Sequence, residues 1–456
     1  MIKDKANLVK NDIILGVALP FLAGAILLFI KLLHMLEAHE LLSSIPFHAQ
    51  VINTPSSSFV GIVLFTTSSA MIICIFRKWV KAHGLDKNGL KYALLHERTL
   101  KKARKALLES GYYFKSIYRS KEVALLPTVI LELSPNLKKG LLKIENHPKY
   151  NNSYEAYNMS SSLGEFVVEM SYLSADENWY LYELSNSKFE EQELIKSFED
   201  YKRLVENVHD YELLIDSSNI VRCTHLLCVS PTGGGKTYLL YHLLLQIQIK
   251  SLNYHMYLCD PKGSSLLVVG EITTPSTTAG TVEEIIKLID VFHQKMQERK
   301  VITKELLKSK LDSDYSDFGE EPHILVIDEY SSLIEYIGTL EKKRRDVISH
   351  QIGDIVRMGR QVGCFLWVFL QKSCATTIST ALRDSMICTL VLGAAPRTTY
   401  QTAMGVDVLA DIPNRKYAPG TGLYTYQGKT IKPTRVFVPT MDFDILQSFK
   451  AIIDDG

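Results

Sequence analysis

Cys228 to Leu240 reads CVSPTGGGKTYLL, and the nature of its centre decides the fold. The segment SPTGGGKT departs from the phosphate-loop pattern GxxxxGK[ST] at one place, where Ser230 replaces the first glycine. Upstream, Thr224 to Val229 (THLLCV) is a short apolar run fit for a buried strand. Downstream, YLLYHLLLQIQI reads as an apolar helix. Strand, glycine turn and helix form the context a phosphate cradle needs. Gly233, Gly234 and Gly235 let the backbone curl so that successive N–H groups face an anion. The helix amino terminus adds a field that favours negative charge. Lys236 is expected to reach the β- and γ-phosphates of ATP, and Thr237 to ligate Mg²⁺. The stretch expected to touch nucleotide is Ser230, Pro231, Thr232, Gly233, Gly234, Gly235, Lys236, Thr237 and Tyr238.

Further along, His323 to Tyr330 (HILVIDEY) is an apolar strand ending in two carboxylates. In such sites the first, Asp328, holds Mg²⁺ through water, and the second, Glu329, polarises the attacking water. Cys364 to Gln371 (CFLWVFLQ) is another strand, and its terminal amide, Gln371, is placed to hydrogen-bond the γ-phosphate or its water. Strands at NYHMYLCD and MICTLVLG complete a series that alternates with helices, implying a parallel sheet covered on both faces.

The chain has 456 residues, enough for two or three domains, with 46% hydrophobic and 22% charged residues, as in folded proteins. Net charge is +1, so any nucleic-acid signal must be local. The seven cysteines lack CxxC pairs. Cys223, His225 and Cys228 come nearest to a metal pattern, but alternation along a strand sends the two cysteines to opposite faces. They read as small buried apolar residues.

Ile13–Ile30 and Phe59–Phe76 are uncharged runs of 18 residues, each a membrane-span candidate. Lysines precede the first (Lys3, Lys5, Lys10), and basic residues follow the second (Arg77, Lys78, Lys81). The segment between, His34 to Ser58, has no Lys or Arg. By the positive-inside rule both ends of this hairpin are cytoplasmic. Arg77–Lys121 then carries 13 Lys/Arg against 3 acids. Its helical part presents Leu94, Leu95, Ala103, Ala106 and Leu107 as an apolar side, ending at Gly111. This segment reads either as a juxtamembrane helix on anionic lipid or as a DNA-attracting surface. Strands follow, including a hairpin of EFVVEMSYL and NWYLYEL, and Ser187–Val208 has a helical pattern. The expected organisation is a two-helix transmembrane hairpin (1–80), a basic helix with a small α/β module (81–205) and a P-loop motor domain (206–456).

Several stretches occur together in the order found in the FtsK/SpoIIIE family of DNA-pumping ATPases, which they resemble. They are THLLCVSPTGGGKT, MYLCDPKGSSL with Asp260, Pro261 and Lys262, KMQERKVI, HILVIDEYSSL, IVRMGRQVGCFLWVFLQ, and the pair GTGLYTYQG and PTRVFVP. The resemblance implies a RecA-like α/β motor, hexameric around DNA, with ATP between subunits and a neighbour's arginine completing each site. That arginine maps to Arg360, with Arg357 second. Gln371, Lys372 and Ser373 stand where the family has Gln-Arg-Pro. The two spans and the short chain after the final hairpin are similar to coupling proteins of Gram-positive conjugative plasmids and transposons. Such proteins act on plasmid or transposon DNA, double-stranded or processed, with relaxosome and channel proteins as partners. Chromosome segregation, protein secretion and a nucleotide-gated, non-hydrolysing adaptor are the competing roles. Lys372 and Arg383, in KSCATTISTALRD, and the segment TTPSTTAGTVEE are the expected DNA tract.

Overall fold

The computed structural model describes residues 3–38, 55–150, 159–189, 192–374, 377–412, 416–430 and 432–455. The chain forms two compact units, Met1–Phe189 and Glu190–Gly456.

The first unit begins with a short strand, β1 (Lys3–Asp4), and two long helices, α1 (Lys5–Ala38) and α2 (Pro55–His83). Both helices are long and apolar enough to cross a membrane. Pro20 lies inside α1 without ending it. The helices run antiparallel, because Phe21 stacks on Phe65 while Leu27, one to two turns on, lies against Gly61. Gly24 and Gly61 permit the close approach: a Cβ on Gly24 would lie 2.8 Å from the Phe65 nitrogen. Outward-facing side chains such as Leu15, Leu19 and Phe29 are largely exposed. Most of the segment expected between the spans lies outside the described residues.

Helix α3 (Leu85–Glu109) follows, broken at Gly89, whose φ of 83° and ψ of 175° are not helical. Its buried side is Tyr92, Ala93, His96, Thr99, Ala103, Ala106 and Leu107. Leu94, expected on that side, faces outward instead, because the buried stripe runs through the small residues at 93 and 103. Strands β2 (Phe114–Tyr118) and β3 (Lys121–Leu125) form a hairpin that β1 extends in parallel. Asp4, buried beside this sheet, ion-pairs with Arg104 at 2.9 Å. Four further strands, β4 (Val129–Leu133), β5 (Lys139–Glu145), β6 (Phe166–Leu173) and β7 (Trp179–Asn186), make an antiparallel sheet in the order β4-β5-β7-β6. One face packs on α3 through Leu131, Leu142, Ile144 and Tyr182. The expected hairpin is the β6–β7 pair, with a register shift between Val168 and Met170.

The second unit starts with β8 (Leu194–Ile195) and α4 (Phe198–Val205), capped by Ser197, whose Oγ accepts from Asp200 N at 3.1 Å. The helical pattern expected over Ser187–Val208 is thus confined to α4. Tyr201 and Val205 belong to the core of this unit, so α4 packs with it, and the division falls at Phe189/Glu190 rather than 205/206. A hairpin of β9 (Glu212–Asp216) and β10 (Asn219–Arg222) leads to β11 (Leu226–Val229), the glycine loop and α5 (Lys236–Ile249). Then come β12 (His255–Cys259), α6 (Ser265–Thr273), β13 (Thr278–Ala279), α7 (Val282–Leu306), β14 (His323–Ile327), α8 (Tyr330–Thr339) and α9 (Lys342–Val362). The unit closes with β15 (Cys364–Leu370), α10 (Thr380–Ser385), β16 (Cys388–Leu392), α11 (Arg397–Met404), β17 (Thr421–Tyr426), β18 (Thr434–Phe437), β19 (Thr440–Met441) and α12 (Ile445–Asp455).

Eight strands form one sheet in the order β13-β12-β14-β15-β11-β16-β17-β18. The first six are parallel; β17 and β18 turn back antiparallel as the closing hairpin. Successive residues feed opposite cores: Phe365, Trp367 and Phe369 enter one, and Leu366, Val368 and Leu370 the other. Helix α5 covers the first face, and α7, α8 and α9 the second. Burial on both faces explains why these strands read as unbroken apolar runs. Cys223 and Cys228 share the first core, contrary to the opposite faces expected, because Cys223 precedes β11 and is outside its alternation. Both thiols are pushed up by burial. No cluster of three His, Cys, Asp or Glu suited to a metal occurs among the described residues.

Candidate nucleotide site

Parallel strands place their carboxyl ends on one edge, where the loops gather. The order β14-β15-β11 puts the strand that carries Gln371 between the strand of the glycine loop and the strand of the carboxylates. Register fixes their levels: Val229 lies beside Leu370, and Ile327 beside Val368. Lys236, Gln371, Asp328 and Glu329 are thereby brought to one place, Lys236 from 92 and 93 residues before the carboxylates and Gln371 from 42 residues after Glu329.

The loop has the conformation its glycines permit. Gly233 has φ of 74° and Gly235 of 108°, values that side chains disfavour. A Cβ on Gly235 would lie 2.3 Å from the Gly420 nitrogen, so the loop rests against the start of the closing hairpin. Gly420 N–H donates to Gly234 O at 2.8 Å in the same contact. Ser230 is not among the residues with positive φ, so no glycine is required at this position. Its backbone N–H donates to Leu370 O at 3.0 Å, and its side chain is buried. The hydroxyl occupies the space beside Gly234, where an added Cβ would come within 2.4 Å of it.

Lys236 Nζ lies 2.7 Å from Asp328 Oδ1 and is also hydrogen-bonded to Glu329 Oε1. Lys262 Nζ meets the other Glu329 oxygen at 3.0 Å. Gln371 Nε2 donates to Glu329 Oε1 at 2.8 Å, and its Oε1 accepts from Thr232 Oγ1 at 3.0 Å. Burial opposes all three charges here. For Lys236 the neighbouring carboxylates outweigh burial and hold its pKa above the usual value. For Asp328 burial prevails over Lys236 and raises the carboxyl. For Glu329 the hydrogen bonds from Lys236, Lys262 and Gln371 overcome burial and lower it. The site thus favours the ionised form of Glu329 more than that of Asp328, and Glu329 sits at φ 50°, a conformation that costs a non-glycine residue on the order of 1–3 kcal/mol.

The cradle and donor set fit a magnesium nucleotide. The helix start and Lys236 match a polyphosphate; the exposed Thr237 and the Asp328 carboxylate are the oxygen donors for Mg²⁺. Tyr238 is also half-exposed at the start of α5. Pro231 contributes through its carbonyl, which accepts from Gly234 N–H at 2.8 Å. The contact from Lys262 to Glu329 was not read from sequence. Asp260 supplies the reason for it: its carboxylate accepts from Lys262 N at 3.1 Å and Ser264 N at 2.8 Å, turning the chain so that Lys262 points at the site. The strand-terminal Asp-Pro-Lys was the available signal.

Arg360 lies elsewhere. It ends α9, just before β15, and so sits at the opposite edge of the sheet from Gln371, which follows β15. It lines a small cleft with Arg222, Thr224, Tyr315 and Tyr426, and its guanidinium has no hydrogen-bond or ion-pair partner among the described residues. Arg357 is paired with Asp354 at 2.8 Å and lines a different depression, beside α8 and α10. The shared helix face expected for the two arginines does not give them a shared environment. In the expected DNA tract, Lys372 is exposed and has no side-chain partner among the described residues, whereas Arg383 pairs with Asp384 at 2.7 Å. Ala375 and Thr376 of that tract lie outside the described residues. The segment TTPSTTAGTVEE is ordered structure: it supplies β13 and the Thr281–Glu284 capping box of α7.

This arrangement defines a P-loop nucleotide-binding protein with a strand inserted between the loop and carboxylate strands. Comparison with known proteins narrows the class. No family model matches the chain. The FtsK domain-containing protein YdcQ of Bacillus subtilis (strain 168) is 27% identical over 195 residues, 42% of this chain and 38% of that protein. The match thus spans well under half of the curated relative. Among solved structures, the conjugation coupling protein TcpA of pCW3, with ATPgS, gives a TM-score of 0.48 at 14% identity, covering 78% of this chain and 99% of that one. The cytoplasmic domain of the type VII secretion ATPase EccC of Thermomonospora curvata gives 0.38 at 18% identity, covering 64% and 31%. Over those 195 residues the chain is similar to an FtsK domain-containing protein.

Proposed function

We propose that the chain is a membrane-anchored, ATP-driven DNA translocase that serves as a coupling protein in conjugative transfer. The observation that carries ATP hydrolysis is the convergence of Lys236, Asp328, Glu329 and Gln371 at one strand edge. A bound magnesium nucleotide supplies the phosphoanhydride to be cleaved. Lys236 and the loop N–H groups would hold its phosphates, and Thr237 and Asp328 would hold Mg²⁺. Glu329, ionised and aimed by Lys262 and Gln371, orients water. Gln371 links this carboxylate to Thr232 in the loop, so a shift of β15 is felt at both. Arg360, free and on the opposite edge, is suited to a neighbour's site in a hexameric ring. Lys372, next to Gln371, offers DNA phosphate a contact one residue from the hydrolytic cluster. The paired ends of α1 and α2, both on the side of the small sheets, support a hairpin anchor with the motor in the cytoplasm. Mobile-element DNA, a relaxosome and a channel are the partners this role requires.

The test is ATP turnover by the purified chain with and without duplex or single-stranded DNA. DNA stimulation is expected, weakening steeply with salt as phosphate contacts require. K372Q should lose most of the stimulation while basal turnover persists. Hydrolysis that no DNA stimulates, but a secretion-signal peptide does, would transfer the motor to protein cargo. ATP binding without turnover would make it an adaptor.

A further inference from the structure

The junction of α2 and α3 carries a feature that nucleotide hydrolysis does not use. A depression of about 600 Å³ opens between the last turn of α2, the first turn of α3 and the edge strand β4. Lys81, His83 and Lys87 line it, with Asp86 and Glu132 as its acids. The Glu132 charge is taken by Lys143 at 2.7 Å. Lys81 and Lys87 are exposed, and their side-chain ammonium groups have no hydrogen-bond or ion-pair partner among the described residues. The local balance is therefore positive, and its cations are unspent.

Depth fixes what this charge meets. The apolar run of α2 ends at Phe76. Lys81 lies five residues further, about 8 Å along the helix axis, so its long side chain can reach back into the headgroup layer from its outer edge. The polar headgroup layer of a bilayer is about 5–8 Å deep on each side. Trp79, at the boundary, stacks on Phe76 and His83 with ring centroids 6.1 and 5.0 Å away, the position an interfacial tryptophan takes. Leu90 and Leu94, one turn apart on α3, are 60% and 53% exposed beside Lys87 and Lys91. Exposed leucines interleaved with lysines suit an acyl–headgroup boundary and offer nothing to a DNA backbone.

We propose that this depression binds the phosphate of an anionic glycerophospholipid, held by Lys81 and Lys87, with Leu90 and Leu94 at the acyl boundary. The proposal rests on the membrane-anchor reading above. It fixes the height of the small sheets at the membrane by a specific lipid contact, in addition to the apolar hairpin.

The experiment uses the full chain in nanodiscs of phosphatidylcholine titrated with phosphatidylglycerol, with bound lipid counted by native mass spectrometry. Phosphatidylglycerol should be retained in preference to phosphatidylcholine. K81Q/K87Q should weaken that retention on the order of ten-fold or more, as loss of two lysines at an anionic surface implies. K101Q/K105Q, which removes equal charge from exposed positions further along α3, should change it far less. Equal loss in both double variants would show diffuse attraction and overturn the site, as would equal retention of the two lipids or displacement of phosphatidylglycerol by duplex DNA. Alkaline carbonate extraction separates the two readings. Wild type released by carbonate defeats the anchor and the lipid site together. Wild type that resists carbonate without lipid preference defeats the site alone.

Discussion

On the proposed function, Glu329 is the residue on which turnover would depend. Three side-chain donors favour its ionised form, on a backbone at φ 50°, where the proposed mechanism polarises water. E329Q should leave ATP binding intact or slightly tighter, because Lys236 and Lys262 lose a competing anion. Turnover should drop about 10²–10⁴-fold, the range for a lost general base. Measured nucleotide affinity and single-turnover rate check the two halves separately. Ser230 makes a second test. Since its φ is not positive, S230G should change ATP affinity by no more than a few-fold, read by nucleotide titration. A large gain would mean that the serine impairs the loop. The identities of these residues were legible because each ends an apolar run. The role of Lys262 was not, since its direction depends on the turn that Asp260 makes by hydrogen bonding to the backbone at 262 and 264.

At the scale of elements, α9 and β15 connect two edges of the sheet. Arg360 ends the helix on one edge, and Gln371 follows the strand on the other. If Arg360 completes a neighbour's site, R360A should lower ATP turnover about 10³-fold or more. Mixing R360A with K236A subunits should then restore part of the activity, because some interfaces regain both residues. Absence of recovery in mixed oligomers would place Arg360 outside catalysis. R357A should lose far less, since that guanidinium is paired with Asp354. Helical spacing put both arginines on one face but could not separate their surroundings, which neighbouring elements set. The same limit applies to α3, where Leu94 reads as core yet points outward.

The motor unit as a whole buries three histidines in its neutral form. Burial lowers His225 to about 3, His242 to about 4 and His323 to about 3. Unfolded histidine titrates near 6.5, so below that pH the unfolded chain binds protons that the folded one refuses. Stability contributed by these groups is full above about pH 6.5 and falls as pH drops toward the folded values. Each histidine costs up to about 1.4 kcal/mol per pH unit in that window. Urea midpoints from pH 7 to pH 4.5 should decline steeply, and a flat profile would show that the three rings are not buried in solution.

By itself, the sequence determined the periodic and local features. Uncharged runs of 18 residues mark two helices long and apolar enough to span a membrane, continuous apolar strands mark a doubly covered sheet, and three consecutive glycines mark a phosphate loop. These depend on neighbours along the chain, which periodicity records. Only the tertiary structure decided the strand order that inserts β15 between β14 and β11. It likewise decided the pairing of Lys262 with Glu329, the isolation of Arg360, the docking of α4 on the motor and the basic depression beside α2. Each of these arises where segments distant in sequence meet, and a one-dimensional pattern carries no record of which distant segments are adjacent.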